Sequence, residues 1–161
     1  MLLTGTYSRS IDDKGRFAIP RPLRDLMELS ESTKLYLAPG TDQSLAVYSS
    51  ESFTEMGRRL GDGPPTSQGV RAFSRLFYSQ ASCVEVDRQG RIRIPQALAR
   101  MAGFDGELVL VGVRDHLEIW EPSRWQAYLT QMQPAYDEIA ERAFGSVELS
   151  ETAAVRPKQP R

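Results

Sequence analysis

Cysteine and histidine are almost missing from these 161 residues: Cys83 and His116 each stand alone. One cysteine cannot close an internal disulfide, and one of each cannot assemble a thiolate and imidazole zinc site. No metal or cofactor is therefore expected. Also missing is any run of about 18 apolar residues, so no segment should cross a membrane. The opening stretch MLLTGTYSRSIDDKGR lacks the basic start and apolar core of a secretion signal. The expected setting is the cytoplasm. Net charge is nearly absent too, at −1, which at first argues against a nucleic-acid partner, because phosphate binding calls for a basic surface. The length allows one ordinary domain or two small ones with a workable core.

The charge that is present is segregated along the chain. Arg9, Lys14, Arg16, Arg21 and Arg24 outnumber Asp12, Asp13 and Asp25 in the first 25 residues, and Arg88, Arg91, Arg93 and Arg100 face Asp87 alone between 87 and 100. Acid collects near the C-terminus, in Asp137, Glu138, Glu141, Glu148 and Glu151.

An internal repeat organises the sequence. IDDKGRFAIPRPLRDLM, from Ile11 to Met27, aligns without gaps on VDRQGRIRIPQALARMA, from Val86 to Ala102. The alignment places Asp12 on Asp87, Gly15 on Gly90, Arg16 on Arg91, Ile19 on Ile94, Pro20 on Pro95 and Leu23 on Leu98. LAVYSSESF, from Leu45, matches LEIWEPSRW, from Leu117, more weakly; each reads as a strand running into a helix start. Two copies of a hairpin, helix, hairpin, helix unit follow, an α+β architecture. The first copy spans 1–60, and GDGPPTSQG, whose glycines and prolines break helix and strand, opens a linker and the start of a connecting helix over 61–75. The second copy with its C-terminal helices spans 76–144.

Finer features follow from spacing. Phe53, Met56 and Leu60 recur at helical spacing behind Ser52 and Glu55, which suit a capping box. Val70, Phe73 and Phe77 mark another helix. Trp125, Leu129 and Met132 follow Pro122 in a first helical turn, and Tyr136, Ile139, Ala140 and Ala143 continue after Pro134. The tail 145–161 has little to bury and is expected to be disordered. Cys83 reads as a small buried side chain and His116 as a surface turn residue. No set of residues converges on a catalytic constellation, so no enzyme is expected.

The chemistry concentrates in the repeated hairpin. Alternation puts Phe17 and Ile19 on one face with Arg16 and Ala18 on the other; Ile92 and Ile94 repeat the first face, Arg91 and Arg93 the second. Gly15 and Gly90 suit a tight turn, Asp12 and Asp87 can fold a carboxylate onto turn amides, and Pro20 and Pro95 end the strands. Arginines beside a rigid hairpin suit a DNA groove, since guanidinium grips guanine bidentately or clamps phosphate. A second reading of the same residues is a pair of cross-turn ion bridges, Asp12 to Arg16 and Asp87 to Arg91, that only close the turns.

With these motifs, and with Gly5 and Arg24, the sequence from about Met1 to Phe144 resembles the MraZ family, whose tandem units belong to the AbrB-like (SpoVT-AbrB) swapped-hairpin class. The resemblance implies a pseudo-dimer whose hairpins interlock into a β-barrel, associated further into a homo-oligomeric ring. It also implies a nucleoid-associated regulator that binds promoter-proximal direct repeats in double-stranded DNA and represses its own division and cell-wall gene cluster. The motif positions are Asp12, Lys14, Gly15 and Arg16, then Asp87, Gly90 and Arg91. Gln89 replaces Lys14 in the second copy and Arg88 replaces Asp13, so the two hairpins are expected to read DNA unequally. DNA contact is expected from Arg16 and Lys14 first, then Arg91, Arg88 and Arg93, with Arg9, Arg21 and Arg24 as phosphate contacts. The competing expectation is a ring-forming structural or adaptor protein without specific DNA binding. No small-molecule site is evident.

Overall fold

Each aligned copy folds as two strands, a helix, two strands and a helix. In the first these are β1 (Thr6–Ser10), β2 (Arg16–Ala18), α1 (Arg21–Leu26), β3 (Lys34–Pro39), β4 (Leu45–Ser49) and α2 (Ser50–Gly61). Helix α3 (Gln68–Gln80) leads into the second: β5 (Ser82–Glu85), β6 (Arg91–Arg93), α4 (Gln96–Ala102), β7 (Glu107–Val113), β8 (His116–Trp120) and α5 (Pro122–Met132). A short 3₁₀ turn, Gln133–Ala135, then precedes α6 (Tyr136–Ala154). The structure, a computed structural model, describes residues 1–154, with side chains through residue 147. It divides into a unit Met1–Pro122 and a second beginning at Ser123.

Within the first unit the two copies are interleaved. Six antiparallel strands run in the order β1-β7-β8-β4-β3-β5, and a separate two-stranded ribbon joins β2 to β6. The hairpins β3–β4 and β7–β8 stay within their copies, whereas β1–β7, β3–β5, β4–β8 and β2–β6 each pair one copy with the other. This mixed architecture, with its large antiparallel sheet, matches the expected α+β class.

The core sits under the ribbon. Phe17, Ile19, Ile92 and Ile94 are buried as alternation predicts, with Leu23 of α1 and Leu98 of α4 beside them in one cluster with Leu35, Leu37, Leu108 and Leu110. Burying a side chain of this size stabilises by roughly 1.5–3 kcal/mol. Pro20 and Pro95 end the strands and stand as the N-caps of α1 and α4.

Three details depart from the sequence reading. Helix α2 is capped one turn earlier than expected, by Ser49, whose side chain accepts from the Ser52 amide at 3.1 Å; Glu55 instead pairs with Arg58 and Arg59. The strand β4 ends at Ser49 and turns directly into the helix, which leaves no room for a cap at Ser52. Cys83 is exposed, because the alternation of β5 turns Val84 toward the core and Cys83 away from it. Helix α6 runs on to Ala154 through SVELSETAA, which is rich in good helix formers, so 145–154 is helical where disorder was expected. Residues 155–161, the rest of that expected tail, lie outside the described residues. Replacing Ser49 with alanine should lower stability by about 1 kcal/mol, read as a fall in the urea midpoint at unchanged slope.

Candidate nucleic-acid interface

The ribbon and its two turns are built by the repeat. At the first turn the Gly15 amide donates to the Asp12 carbonyl at 3.0 Å, and the Asp12 amide to the Arg16 carbonyl at 2.9 Å. Gly15 adopts φ +76°, which a side chain would resist. Asp12 Oδ1 accepts from the amides of Lys14 at 3.0 Å and Arg16 at 2.8 Å, and its Oδ2 accepts Arg16 Nε at 2.8 Å. The second turn repeats this. Gly90 has φ +74°, and Asp87 accepts from the Gln89 amide at 2.9 Å and from the Arg91 amide and Nε, both at 2.8 Å. Both cross-turn ion bridges are therefore formed.

These bonds set the acidity of the two aspartates. The Arg16 amide foremost, then its side chain and the Lys14 amide, hold the Asp12 carboxyl below its ordinary value against the opposing effect of burial. At Asp87 burial is the largest influence and pushes upward. The Arg91 amide and side chain, with the Gln89 amide, together outweigh it and leave the carboxyl lowered. Both turns are thus braced by charged carboxylates at neutral pH.

Each turn also docks on the opposite copy. The Ile94 amide donates to the Gly15 carbonyl at 2.8 Å and the Ile19 amide to the Gly90 carbonyl at 3.0 Å. Arg91 Nη1 comes within 3.8 Å of Asp12 Oδ2, which ties the two turns together electrostatically. In the ribbon Arg16 stands opposite Arg93, Phe17 opposite Ile92 and Ala18 opposite Arg91. Since Phe17 and Ile92 are buried, the face away from the core carries Arg16, Arg91, Arg93 and Ala18.

The expected contact residues divide by exposure. Lys14, Arg88 and Arg93 are exposed; Arg88 is 87% exposed and its nearest acid, Glu31, is 3.7 Å away. Arg16 and Arg91, held by their aspartates, keep only 30% and 28% of their side chains exposed. Arg21 is exposed on α1, 3.9 Å from Asp25. Arg9 is half-buried on β1, where it donates to the Ser8 carbonyl at 2.8 Å and stands 6.0 Å from the centre of the Tyr7 ring. Arg24 packs over Gly90, with its Nε buried and without a hydrogen-bond partner. The ribbon and turns thus bring together Lys14, Arg16, Arg88, Arg91 and Arg93. The Arg91 to Asp12 contact between copies was not foreseen, and only the shared spacing of the two motifs hints that they meet.

His116 lies elsewhere and is not a loose turn residue. It opens β8, half-buried and stacked on Tyr48 with ring centres 5.2 Å apart. Its Nδ1 is 2.8 Å from Asp115 Oδ1 and its Nε2 is 3.7 Å from Glu118 Oε1. Glu118, then Asp115, raise the His116 pKa above 6.5 against the cost of burial, while burial with the same two carboxylates pushes the Tyr48 hydroxyl up to about 12. A raised histidine contributes stability that is fully present below its unfolded value and is lost as pH climbs through the folded one. The urea midpoint should therefore fall as pH climbs from below 6.5 through the raised folded value, and stay nearly level in His116→Gln.

Among the described residues, no group of three or more His, Cys, Asp or Glu side chains could hold a metal ion, and no helix is long and apolar enough to cross a membrane. A family model described as "MraZ protein, putative antitoxin-like" matches residues 2–76 and again 77–147. The protein named "Transcriptional regulator MraZ" in Moorella thermoacetica is 39% identical over 141 residues, covering 88% of this chain and 96% of its own. Its namesake in Acetivibrio thermocellus is 38% identical over 138 residues, covering 86% and 94%. The one in Frankia alni is 34% identical over 146 residues, covering 91% and 99%.

Proposed function

The chain belongs to the MraZ family, and on that footing we propose that it is a DNA-binding transcriptional regulator whose β2–β6 ribbon and flanking turns meet the duplex. The observation that carries this reading is the outward face of the ribbon: three arginines side by side, with Lys14 on one turn and Arg88 on the other. A two-stranded ribbon fits the major groove, and guanidinium is suited to guanine and to phosphate. The relatives are named as transcriptional regulators and not as enzymes. Lys14, Arg88 and Arg93 take the role of direct contacts, with Arg21 and Arg9 toward phosphate. Arg16 and Arg91 act at the ribbon while also bracing their turns, and Arg24 supports the second turn rather than reaching out.

The proposal extends to repression of its own gene cluster, to direct repeats as the target, and to a ring. A single ribbon offers few contacts, so several presented together on spaced repeats gain affinity through effective concentration. Support for association comes from α3, where Phe73 and Leu76 are 43% and 63% exposed. Support for barrel-like closure comes from the connections: the sheet edges β1 and β5 run through their turns into β2 and β6, which pair with each other.

Fluorescence anisotropy with DNA from upstream of the protein's own gene, against scrambled DNA over a salt series, tests the reading. Selective binding that weakens steeply with salt is expected. Equal weak binding to both DNAs would overturn specific regulation and leave the assembly role.

A further inference from the structure

The two turns share one backbone geometry, yet only one of them is covered. On the second turn the Arg24 side chain from α1 lies against Gly90: a Cβ there would fall 2.7 Å from Arg24 Cδ and 2.8 Å from its Cζ. Gly90 is buried beneath it, and so is Pro20 at the head of that helix. The repeat places Ala99 of α4 at the position of Arg24. A methyl group cannot reach the first turn, and Gly15 and Pro95 are correspondingly only half-buried. What remains between Gly15, Ile94, Gln96 and Ala99 is a cavity of about 330 Å³.

We propose that this cavity beneath the 12–15 turn is a guanidinium seat, the vacant counterpart of the one that Arg24 fills on the 87–90 turn. The Ile94 carbonyl lies 3.3 Å from the Cβ position of Gly15, and Asp12 and Asp13 are among the lining residues, Asp12 with its carboxylate already held by Arg16 and the turn amides. Asp13 makes no side-chain hydrogen bond or ion pair among the described residues, whereas its counterpart beside the filled seat is the cation Arg88. The sequence thus puts an acid where the seat is empty and a base where it is occupied. Lys14 and Arg93 also border the cavity, so an entering cation must take a position on the aspartate side. The ligand is a guanidinium group, either of a small molecule or of an arginine presented by a second copy of this chain.

Full-length protein labelled with ¹⁵N-glycine tests this through the Gly15 and Gly90 amides, with methylguanidinium as the probe. Gly15 should shift saturably with methylguanidinium and not with tetramethylammonium at the same ionic strength. The response should vanish in Ala99→Arg, and Arg24→Ala should create a second one at Gly90. If a second copy supplies the arginine, Gly15 should also move with protein concentration and methylguanidinium should compete with that change. The proposal is overturned if Gly15 moves with neither, if inorganic phosphate moves it instead, or if Ala99→Arg responds like the native chain. Should Ala99→Arg fail to fold, a Gly90 amide that ignores methylguanidinium in Arg24→Ala would overturn the seat geometry by itself.

Discussion

Alanine at Lys14, Arg88 and Arg93 together should abolish most operator binding while leaving the protein as stable as before. All three side chains are exposed, so on the proposed reading their removal forfeits contacts to DNA, and it does not open the core. Contacts of this type contribute roughly 1–3 kcal/mol each, and three of them at the lower bound amount to a loss on the order of a hundredfold. If each cation neutralises one phosphate, the slope of log affinity against log salt should also shrink by about 3. Anisotropy over a salt series reads both quantities. Arg16→Ala with Arg91→Ala should behave differently, lowering affinity and melting temperature together, because it strips the partners from the Asp12 and Asp87 carboxylates. A triple variant that binds like the native chain would remove the ribbon from the interface.

Gly90→Ala should cost more than the same change at Gly15, although the two glycines differ by only 2° in φ. Each substitution forces a side chain into the left-handed region, at about 1–2 kcal/mol. At Gly15 the nearest atom is the Ile94 carbonyl at 3.3 Å, a backbone neighbour that must give by a few tenths of an ångström. At Gly90 the new methyl group meets the Arg24 guanidinium and its stem, so that side chain must leave its buried place. An overpacking cost of about 1–3 kcal/mol is added. Urea denaturation of Gly90→Ala, Gly15→Ala, Arg24→Ala and the Gly90→Ala, Arg24→Ala pair forms a double-mutant cycle. The pair should be more stable than the sum of its single changes implies, and strict additivity would show that Arg24 does not press on that turn.

The repeat makes much of this legible in the sequence. The period-two pattern fixed Phe17 and Ile92 as core and the arginines as surface, and the glycine and aspartate of each turn do the work their chemistry suggests. Pairing between copies was harder to see, because strand alternation says which face is buried but not which strand lies alongside. The opposition of Arg16 to Arg93, and the reach of Arg91 to Asp12, depend on that pairing. The sequence does not single out Ser49 as the cap, because Ser49, Ser50 and Ser52 offer the same hydroxyl and only the end of β4 decides among them. The exposure of Cys83 is hidden for a related reason: a short edge strand has one face toward the core, and a single small residue does not announce which face it is on. His116 reads as a surface turn residue but is half-buried at the start of β8, because it stacks on Tyr48 of the distant strand β4.

The interleaving of the two copies has an evolutionary and geometric consequence. Two identical chains joined in this way would form a strict two-fold dimer, in which every change at one turn appears at the other and the molecule has no front or back. Carried on one chain, the two turns are free to diverge, and they have done so at Asp13 against Arg88, Lys14 against Gln89, Ala18 against Arg93 and Arg24 against Ala99. The protein therefore has a direction. A two-fold dimer matches a palindrome and cannot tell the two strands of its site apart, whereas a directional reader distinguishes a sequence from its reverse complement and can line up head to tail along a duplex.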